Sequence, residues 1–592
     1  MGLAQFNPFK KDRQNFPGVV IPLADAPAHP SQPTEKDDKD SSKSLDRAPS
    51  SENGVAGSHT STNHLTLEGL RAEIESDLAT ASHDSAYDRM YTALPFNAET
   101  HAKCMFIIFL RKAKVINRAL QDIGMGRYQW QLFFLCGFGW TADNLWLQGV
   151  ALTLTPISYE FGISETGVRF TTCALFLGLC LGASFWGVAS DIVGRRLAFN
   201  TTLFLAGAFG LASGGGPSWI GTCALFSCLG LGVGGNLPVD GALFLEFLPF
   251  ISGNMLTMLS VWWPIGQLIG SLLAWAYIPN YSCTGYEGCT KEKNMGWRYL
   301  VLTLGAITFV MFIMRFFFFH LYESPKFLLS RGRQDEAVAS VHGIAYKNGA
   351  KTWLTTEILN EIGGHPERQE EKTELTISQI IGRFFSKFSM ERIGPLFANK
   401  RMGINTALLW FCWTTIGMGY PLFNAFLPQY LSQSGGEANS SYTTYRNYAI
   451  TSIVGVPGSI LACYTVEIKY VGRKGTMAIA TLITGVLLFC FTASTSSNIQ
   501  LLCSCLEAFF QNIMYGVLYA YTPETFPAPN RGTGTGISSC LNRISGLCAP
   551  LVAIYAGSAN PNSPIYASGA LILASFVAMC FLPIETRGKQ TL

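Results

Sequence analysis

The chain has 592 residues, of which 48% are hydrophobic and only 14% charged, with a net charge of +3. Soluble domains carry about 25% charged residues, so an ordinary soluble globular protein is excluded. The small net charge, spread over short connectors, excludes a nucleic-acid surface. Many of the 59 glycines lie inside apolar runs, as in membrane helices, where small residues let backbones approach. The 16 cysteines show no zinc-type spacing. Most, such as Cys173, Cys180 and Cys540, lie in apolar runs and read as small core residues.

In chain order, residues 1–127 are rich in Ser, Asp, Lys, Pro and His. They read as a mostly disordered cytosolic tail, with a short amphipathic helix near Leu65 to Leu78. A basic amphipathic segment, Lys112 to Ile123, ends the tail. The apolar block Cys104 to Leu110 is too short to span a bilayer and reads either as a surface-lying anchor or as an insertion. No apolar core of a signal peptide is visible in the first thirty residues, which fits a cytosolic N-terminus.

Twelve apolar runs of spanning length follow, at 130–156, 168–190, 197–214, 218–248, 253–279, 297–320, 404–432, 447–466, 476–494, 499–522, 532–557 and 563–583. The expected fold is an all-α membrane protein of twelve transmembrane helices in two pseudo-symmetric six-helix bundles, 128–320 and 404–584. A cytosolic central loop, 321–403, joins them, and 585–592 forms a C-terminal tail. Lys and Arg concentrate in connectors 2–3, 6–7, 8–9 and 10–11, which places both termini in the cytosol. The sequons at Asn280 and Asn439 then fall outside. So does the polar loop holding Cys283 and Cys289, which read either as a disulfide or as two free thiols.

The halves repeat. Gly194-Arg195-Arg196 recurs as Gly472-Arg473-Lys474, and Glu246 with Pro249 recurs as Glu524 with Pro527, both at an offset of 278 residues. Glu323-Ser-Pro-Lys and Glu585-Thr-Arg-Gly-Lys make a third pair. Glu246 with Arg195 or Arg196, and Glu524 with Arg473 or Lys474, read either as latches between the half-bundles on the inner face or as interfacial charges that fix topology.

These segments resemble the major facilitator superfamily. GVASDIVGRR, 187–196, is similar to its loop motif, with Ile192 in place of the first basic residue; in the second copy Lys469 replaces the acid. YESPKFLL, PETFPAPNRGTGTGI and PIETRGK resemble sugar-porter-like signatures, so Asp191 and Arg531 join the latch set. GRYQW, WTADNLWLQ and GVGGNLPVDGALFLEFLP resemble the synaptic-vesicle-protein-related branch, which includes niacin transporters. The resemblance covers roughly 120–590. It implies transport of small organic ions or hydroxylated solutes, often with protons.

Charges inside a bilayer are costly and ask for a reason. Asp143, near the middle of the first span, is a proton-coupling candidate or a structural partner; Trp146 stands where the branch often has a second acid. Arg543 needs an anion, either a substrate carboxylate or a protein acid such as Asp143. Asp240, after the GGNLP break, is the second proton candidate. Glu507 and Arg315 read as snorkelling toward the interfaces. Trp262, Gln267, Asn424, Gln511, Asn512 and Tyr515 are candidate substrate contacts, with Trp263, Trp410, Trp413, Tyr420 and Tyr519 nearby. Pro421, opposite Asp143 by the repeat, marks a possible hinge.

The expected function is secondary transport of a small organic acid with a proton, by alternating access. A sugar or polyol porter is the second reading and a non-transporting nutrient sensor the third. No phosphate loop, metal cluster or nucleophile arrangement points to an enzyme, and no cofactor or metal is expected. The expected partners are a small solute, protons and the bilayer, with no nucleic acid and no obligate protein partner. The plasma membrane is the first assignment and the vacuole the second.

Overall fold

A computed structural model describes residues 16, 18–26, 65–82, 96–249, 254–364, 393–397, 399–432, 440–494, 496–526, 528–557 and 562–586. Hydrocarbon offers backbone groups no hydrogen bonds, so spanning segments must be helices or closed barrels. Here they are helices: α1 (Arg127–Phe161), α2 (Phe170–Val193), α3 (Arg195–Ser213), α4 (Trp219–Phe247), α5 (Trp262–Tyr281), α6 (Gly296–Phe317), α7 (Lys400–Asn424), α8 (Ser441–Thr465), α9 (Gly472–Ala493), α10 (Ser497–Thr525), α11 (Ala528–Gly557) and α12 (Ser563–Cys580). A short helix, Asn254–Leu259, leads into α5, and another, Leu427–Ser432, follows α7.

Among the described residues, nine helices are long and apolar enough to cross a membrane. The other three of the twelve are α1, α3 and α7. Their polar content has visible sources: Asp143, Asn144 and Gln148 in α1, Arg195 and Arg196 in α3, and Lys400, Arg401 and Asn405 in α7.

In the first bundle α4 packs on α2 and α3, α1 on α5, and α6 on α3. In the second, α7 packs on α11 and α12, α10 on α8 and α9, and α9 on α12. The bundles meet where α2 lies against α11 and α5 against α8. The α2–α4 crossing is close because both helices present glycine. A Cβ on Gly230 would lie 2.6 Å from the Leu175 carbonyl oxygen and 3.0 Å from the Leu179 nitrogen. Such backbone-to-backbone approach is how membrane helices gain packing.

The tail departs from the expected disorder where it is described. Val19 and Ile21 exchange backbone hydrogen bonds with Thr352 at 2.9 and 3.0 Å. The helix Phe96–Ile123, which contains the Cys104–Leu110 block, buries Val115, Ile116, Ala119 and Leu120. It packs on the helices Gln334–Asn348 and Thr356–Gly363 of the segment between the bundles. That apolar stripe, legible as a 3–4 periodicity, meets a complementary one from Val341, Ile344, Leu359 and Ile362. Arg118 pairs with Glu73 at 2.6 Å, and Trp353 donates to Asp122 at 2.8 Å. Lys112 is buried, donating to the Gln334 and Asn360 amides at 2.9 and 3.2 Å, and burial lowers its pKa from the ordinary lysine value.

Cys283 and Cys289 form a disulfide in the loop between α5 and α6. Asn280 is exposed in the last turn of α5, whereas Asn439 lies outside the described residues.

Replacing Gly230 with Val is expected to force α2 and α4 apart, with a cost of about 1–3 kcal/mol or more for overpacking. The check is the melting temperature and monodispersity of purified protein. An unchanged melting temperature would show that the crossing is not close.

Candidate functional site

Asp143 lies at the middle of α1 and is almost completely buried. Arg543 of α11 reaches it from the other bundle, Nη2 to Oδ1 at 3.0 Å, and Trp263 of α5 donates its indole N–H to Oδ2 at 3.0 Å. Both carboxylate oxygens therefore have donors, as a charge in low dielectric requires. The start of α5 supports this arrangement. Pro264 has no N–H to donate, and the chain enters α5 through a turn after Leu259. The Trp262 carbonyl accepts from Thr141 at 3.2 Å and the Trp263 carbonyl from Asn144 at 2.9 Å. These bonds fix α5 against α1 and set the Trp263 ring beside the carboxylate.

The pair opens on a cavity in two lobes. One is lined by Asp143, Phe176, Trp263, Tyr420, Pro421, Tyr515, Tyr519, Asn542 and Arg543, among others. The second is lined by Trp140, Ser260, Ser459, Asn512 and Gly516 together with Trp263, Tyr515 and Tyr519. The shared rings stand between the lobes, with Trp263 5.2 Å from Tyr515 and Tyr515 stacked on Tyr519 at 6.1 Å.

Where α1 approaches Gly162, a second set of bonds joins the bundles. Gln148 donates to the Tyr420 hydroxyl at 2.7 Å and accepts from the Tyr448 hydroxyl. Tyr445 donates to the Leu152 carbonyl at 2.9 Å. Arg169 donates to the Ala553 carbonyl at 2.7 Å and to Gln429 at 3.2 Å. At the opposite end Cys463 lies 3.6 Å from Met258. The halves thus touch at both ends of a small central cavity.

The residues singled out in the sequence divide by location. Arg543, Asn512 and Tyr515 line the cavity. Gln267 is bonded to Tyr448, and Asn424 donates to Gln511 at 3.1 Å; these form a polar cluster outside both lobes. Trp262 is not at the cavity: it turns onto Phe133 and Phe134, at 6.0 and 5.3 Å, and its neighbour Trp263 takes the place expected of it.

Asp240 is also away from both lobes, paired with Arg315 at 2.8 Å with neither side chain exposed. Arg315 was expected to snorkel. It stays inside because Asp240 and the carbonyls of Leu135 and Phe199, each at 2.6 Å, satisfy it. Glu507 was expected to snorkel as well, and is 1% exposed. Gln148 and Arg169 went without a role in the sequence reading, although the glutamine in the motif WTADNLWLQ was a visible signal.

The repeated turns carry matching ion pairs. Arg195 meets Glu246 at 2.8 Å and Arg473 meets Glu524 at 2.6 Å. Gly194 and Gly472 have φ of 115° and 60°, a region that favours glycine. This turns the chain so that Glu323 accepts the N–H groups of Arg195 and Arg196, and Glu585 those of Arg473 and Lys474. Burial pushes the Glu323 carboxyl up from its ordinary value, and these backbone donors pull it down. The latch reading needs correction here: each pair links two helices of the same bundle, because the i to i+51 spacing in each half folds back on itself. The pairs staple each bundle internally and do not themselves bridge the halves. The side chains of Asp191 and Arg531 lie outside the described residues.

Twelve helices in two repeated bundles, closing on a cavity with a charge pair across the interface, define a membrane solute transporter. The Major Facilitator Superfamily matches residues 131–468 and 448–592, and the chain belongs to it. It is 46% identical over 490 residues, 82% of this chain and 92% of the relative, to "MFS siderochrome iron transporter 1" of Ceriporiopsis subvermispora (strain B). It is 28% identical over 477 residues, 79% and 97% of the two chains, to the niacin transporter NiaP of Acinetobacter baylyi. Among solved structures it is similar in fold to the proton:xylose symporter XylE, with a TM-score of 0.59 at 17% identity over 78% of this chain and 98% of that one. The protein is accordingly a multi-pass membrane transporter and not an enzyme.

Breaking a buried ion pair from one side leaves an uncompensated charge, at a cost of about 3–5 kcal/mol. Asp143→Asn and Arg543→Gln are each expected to lower the melting temperature. The double variant should recover much of the loss, since the two changes couple. Purely additive losses in thermal unfolding would mean that the two side chains do not interact.

Proposed function

We propose that the chain is a secondary active transporter that moves a small organic acid together with a proton, the two bundles alternating access to the central cavity. The observation that carries this reading is the Asp143–Arg543 pair, which joins the bundles and lines the cavity at once. A guanidinium fork matches a carboxylate in two parallel hydrogen bonds. A solute carboxylate arriving at Arg543 competes with Asp143 for it. Asp143, once displaced, keeps only the Trp263 indole N–H, and an ionised carboxyl so placed is costly in the membrane interior. Taking up a proton removes that cost, so anion binding and proton binding favour each other. Trp263, Tyr420, Tyr515 and Tyr519 offer flat faces for a planar solute, and one relative is a niacin transporter, niacin being a small flat carboxylic acid.

The internal staples support the rocking of each bundle as one body, with motion confined to the α2–α11 and α5–α8 contacts. Arg195, Arg196, Arg473 and Lys474 lie at one end of the bundles, and the Cys283–Cys289 disulfide belongs to a connector at the other. This supports cytosolic termini, an outward-facing disulfide and Asn280 as the sugar acceptor; the plasma membrane is the location we assign. The second reading, a sugar porter, is favoured by the Glu323-Ser-Pro-Lys and Glu585-Thr-Arg-Gly-Lys segments.

Purified protein in vesicles under an inward proton gradient should accumulate radiolabelled aromatic monocarboxylates. Asp143→Asn should lose gradient-driven accumulation yet retain solute exchange. Arg543→Ala and Arg543→Lys should weaken acid uptake about tenfold or more, since a charged hydrogen bond contributes about 1.5–3 kcal/mol. Competition by sugars and not by acids would transfer the assignment to the second reading. Binding without uptake of any solute would make the protein a sensor.

A further inference from the structure

Glu507 differs from the charged side chains that this chain buries among its spans. It lies ten residues into α10, about 15 Å from the helix start at 1.5 Å per residue, and is 1% exposed. Asp143, Asp240 and Glu160 each face an arginine, at 3.0, 2.8 and 2.5 Å. Glu507 faces none among the described residues. Its Oε1 lies 3.4 Å from the Asn424 amide nitrogen, which is closer, at 3.1 Å, to Gln511. Its Oε2 is buried with no hydrogen-bond partner.

The groups that surround it on α7, α8 and α10 are uncharged: Asn424 and Tyr420 on α7, Tyr448 on α8, and Gln511 and Tyr515 on α10 itself. Asp143, which shares the neighbours Tyr420 and Tyr515 with Glu507, is held by Arg543. An ionised carboxylate in hydrocarbon, with one shared amide donor and no cation, lacks what buried charges require. A carboxylic acid fits the same place at far lower cost, because it is neutral.

We propose that Glu507 holds a proton in this closed arrangement and is a second proton-carrying group of the transport cycle, released when α7, α8 and α10 separate. It is placed for this. Asn424, its donor, follows the Tyr420–Pro421 wall of the cavity by one turn, and Tyr515, two turns along α10, lines both lobes. The Gln148–Tyr420–Tyr448 bonds close the bundles beside it, so opening on that side changes the surroundings of Glu507 together with access. The inference rests on the proton-symport reading for its role in transport, but not for the bound proton itself.

Two measurements separate these parts. Infrared difference spectra of wild-type protein in lipid should contain the carbonyl stretch of a protonated carboxylic acid that Glu507→Gln removes and Glu507→Asp shifts. Absence of a Glu507-dependent band overturns the proposal. In vesicles with the membrane potential clamped, each coupled proton sustains about tenfold accumulation per pH unit. Glu507→Gln should therefore cut accumulation about tenfold per pH unit while solute exchange at equal pH persists, which shows that the variant is folded. Unchanged accumulation overturns the carrier role. Failure of the wild type itself to accumulate solute under the gradient is a different result: it overturns the symport reading, and the infrared band still decides whether Glu507 is protonated.

Discussion

The constraint behind this structure is that hydrocarbon cannot solvate a charge or a free backbone group. Each ionic side chain among the spans has therefore shaped its surroundings. Arg298 collects Glu160 and the carbonyls of Gly214 and Gly216, which ties the end of α1 to the start of α6 and the α3–α4 turn. Arg315 does the same at the other end of the first bundle, holding α1, α3 and α4 through Leu135, Phe199 and Asp240. Both clusters lie inside one bundle. They are structural fasteners, since moving one bundle relative to the other leaves them whole. The Asp143–Arg543 pair is of another kind, for its two members belong to different bundles.

The repeat shows which charges are architectural. Gly194 and Gly472, Glu323 and Glu585, and the pairs Arg195–Glu246 and Arg473–Glu524 recur in both halves with like geometry. A device that appears twice serves the bundle as such. The unrepeated charges are the informative ones. At an offset of 278 residues Asp143 corresponds to Pro421, Asp240 to Leu518 and Glu507 to Leu229. The Asp143–Pro421 correspondence brings both residues to one cavity wall, as a pseudo-two-fold through the cavity requires. Nothing in the repeat demands an acid at 143 or 507. Their presence calls for a reason specific to what crosses the cavity.

The spans, their order and the paired turns were legible because they rest on local rules: apolar length, glycine at positive φ, and a motif recurring at one offset. The ionic pairing was legible only in outline. Arg543 demanded an anion, and the sequence offered a solute carboxylate and Asp143 as alternatives; the two residues stand 400 positions apart. Arg315 and Glu507 were misread for a common reason. Arg315 lies two residues from the end of α6 and Glu507 in the outer half of α10, where a long side chain can reach toward the interface, and the sequence does not show which helix face a neighbour covers. Asp240 occupies the face of α4 turned to Arg315. Glu507 occupies the face of α10 turned to Asn424. The same blindness kept Trp262 beside Trp263 at the cavity, although adjacent residues of a helix point about 100° apart and only Trp263 reaches Asp143.

The arrangement of contacts between the bundles gives the transport reading its physical content. Bonds at the end near Gly162 involve Gln148, Leu152, Arg169 and their partners across the gap; packing at the opposite end involves Met258, Ser260, Cys463 and Gly516. Opening one side breaks the first set and opening the other breaks the second. The Asp143–Arg543 pair lies between, so either motion can strain it, and it holds the closed form until something replaces it. A neutral solute does not replace a charge pair. An anion for Arg543 with a proton for Asp143 does, and it leaves the site with the same net charge as before. On this reading the empty carrier and the loaded carrier can both close, whereas anion alone or proton alone leaves a charge unpaired in hydrocarbon. In the proposed symport, that penalty, and not any mechanical linkage, is what couples the two cargoes.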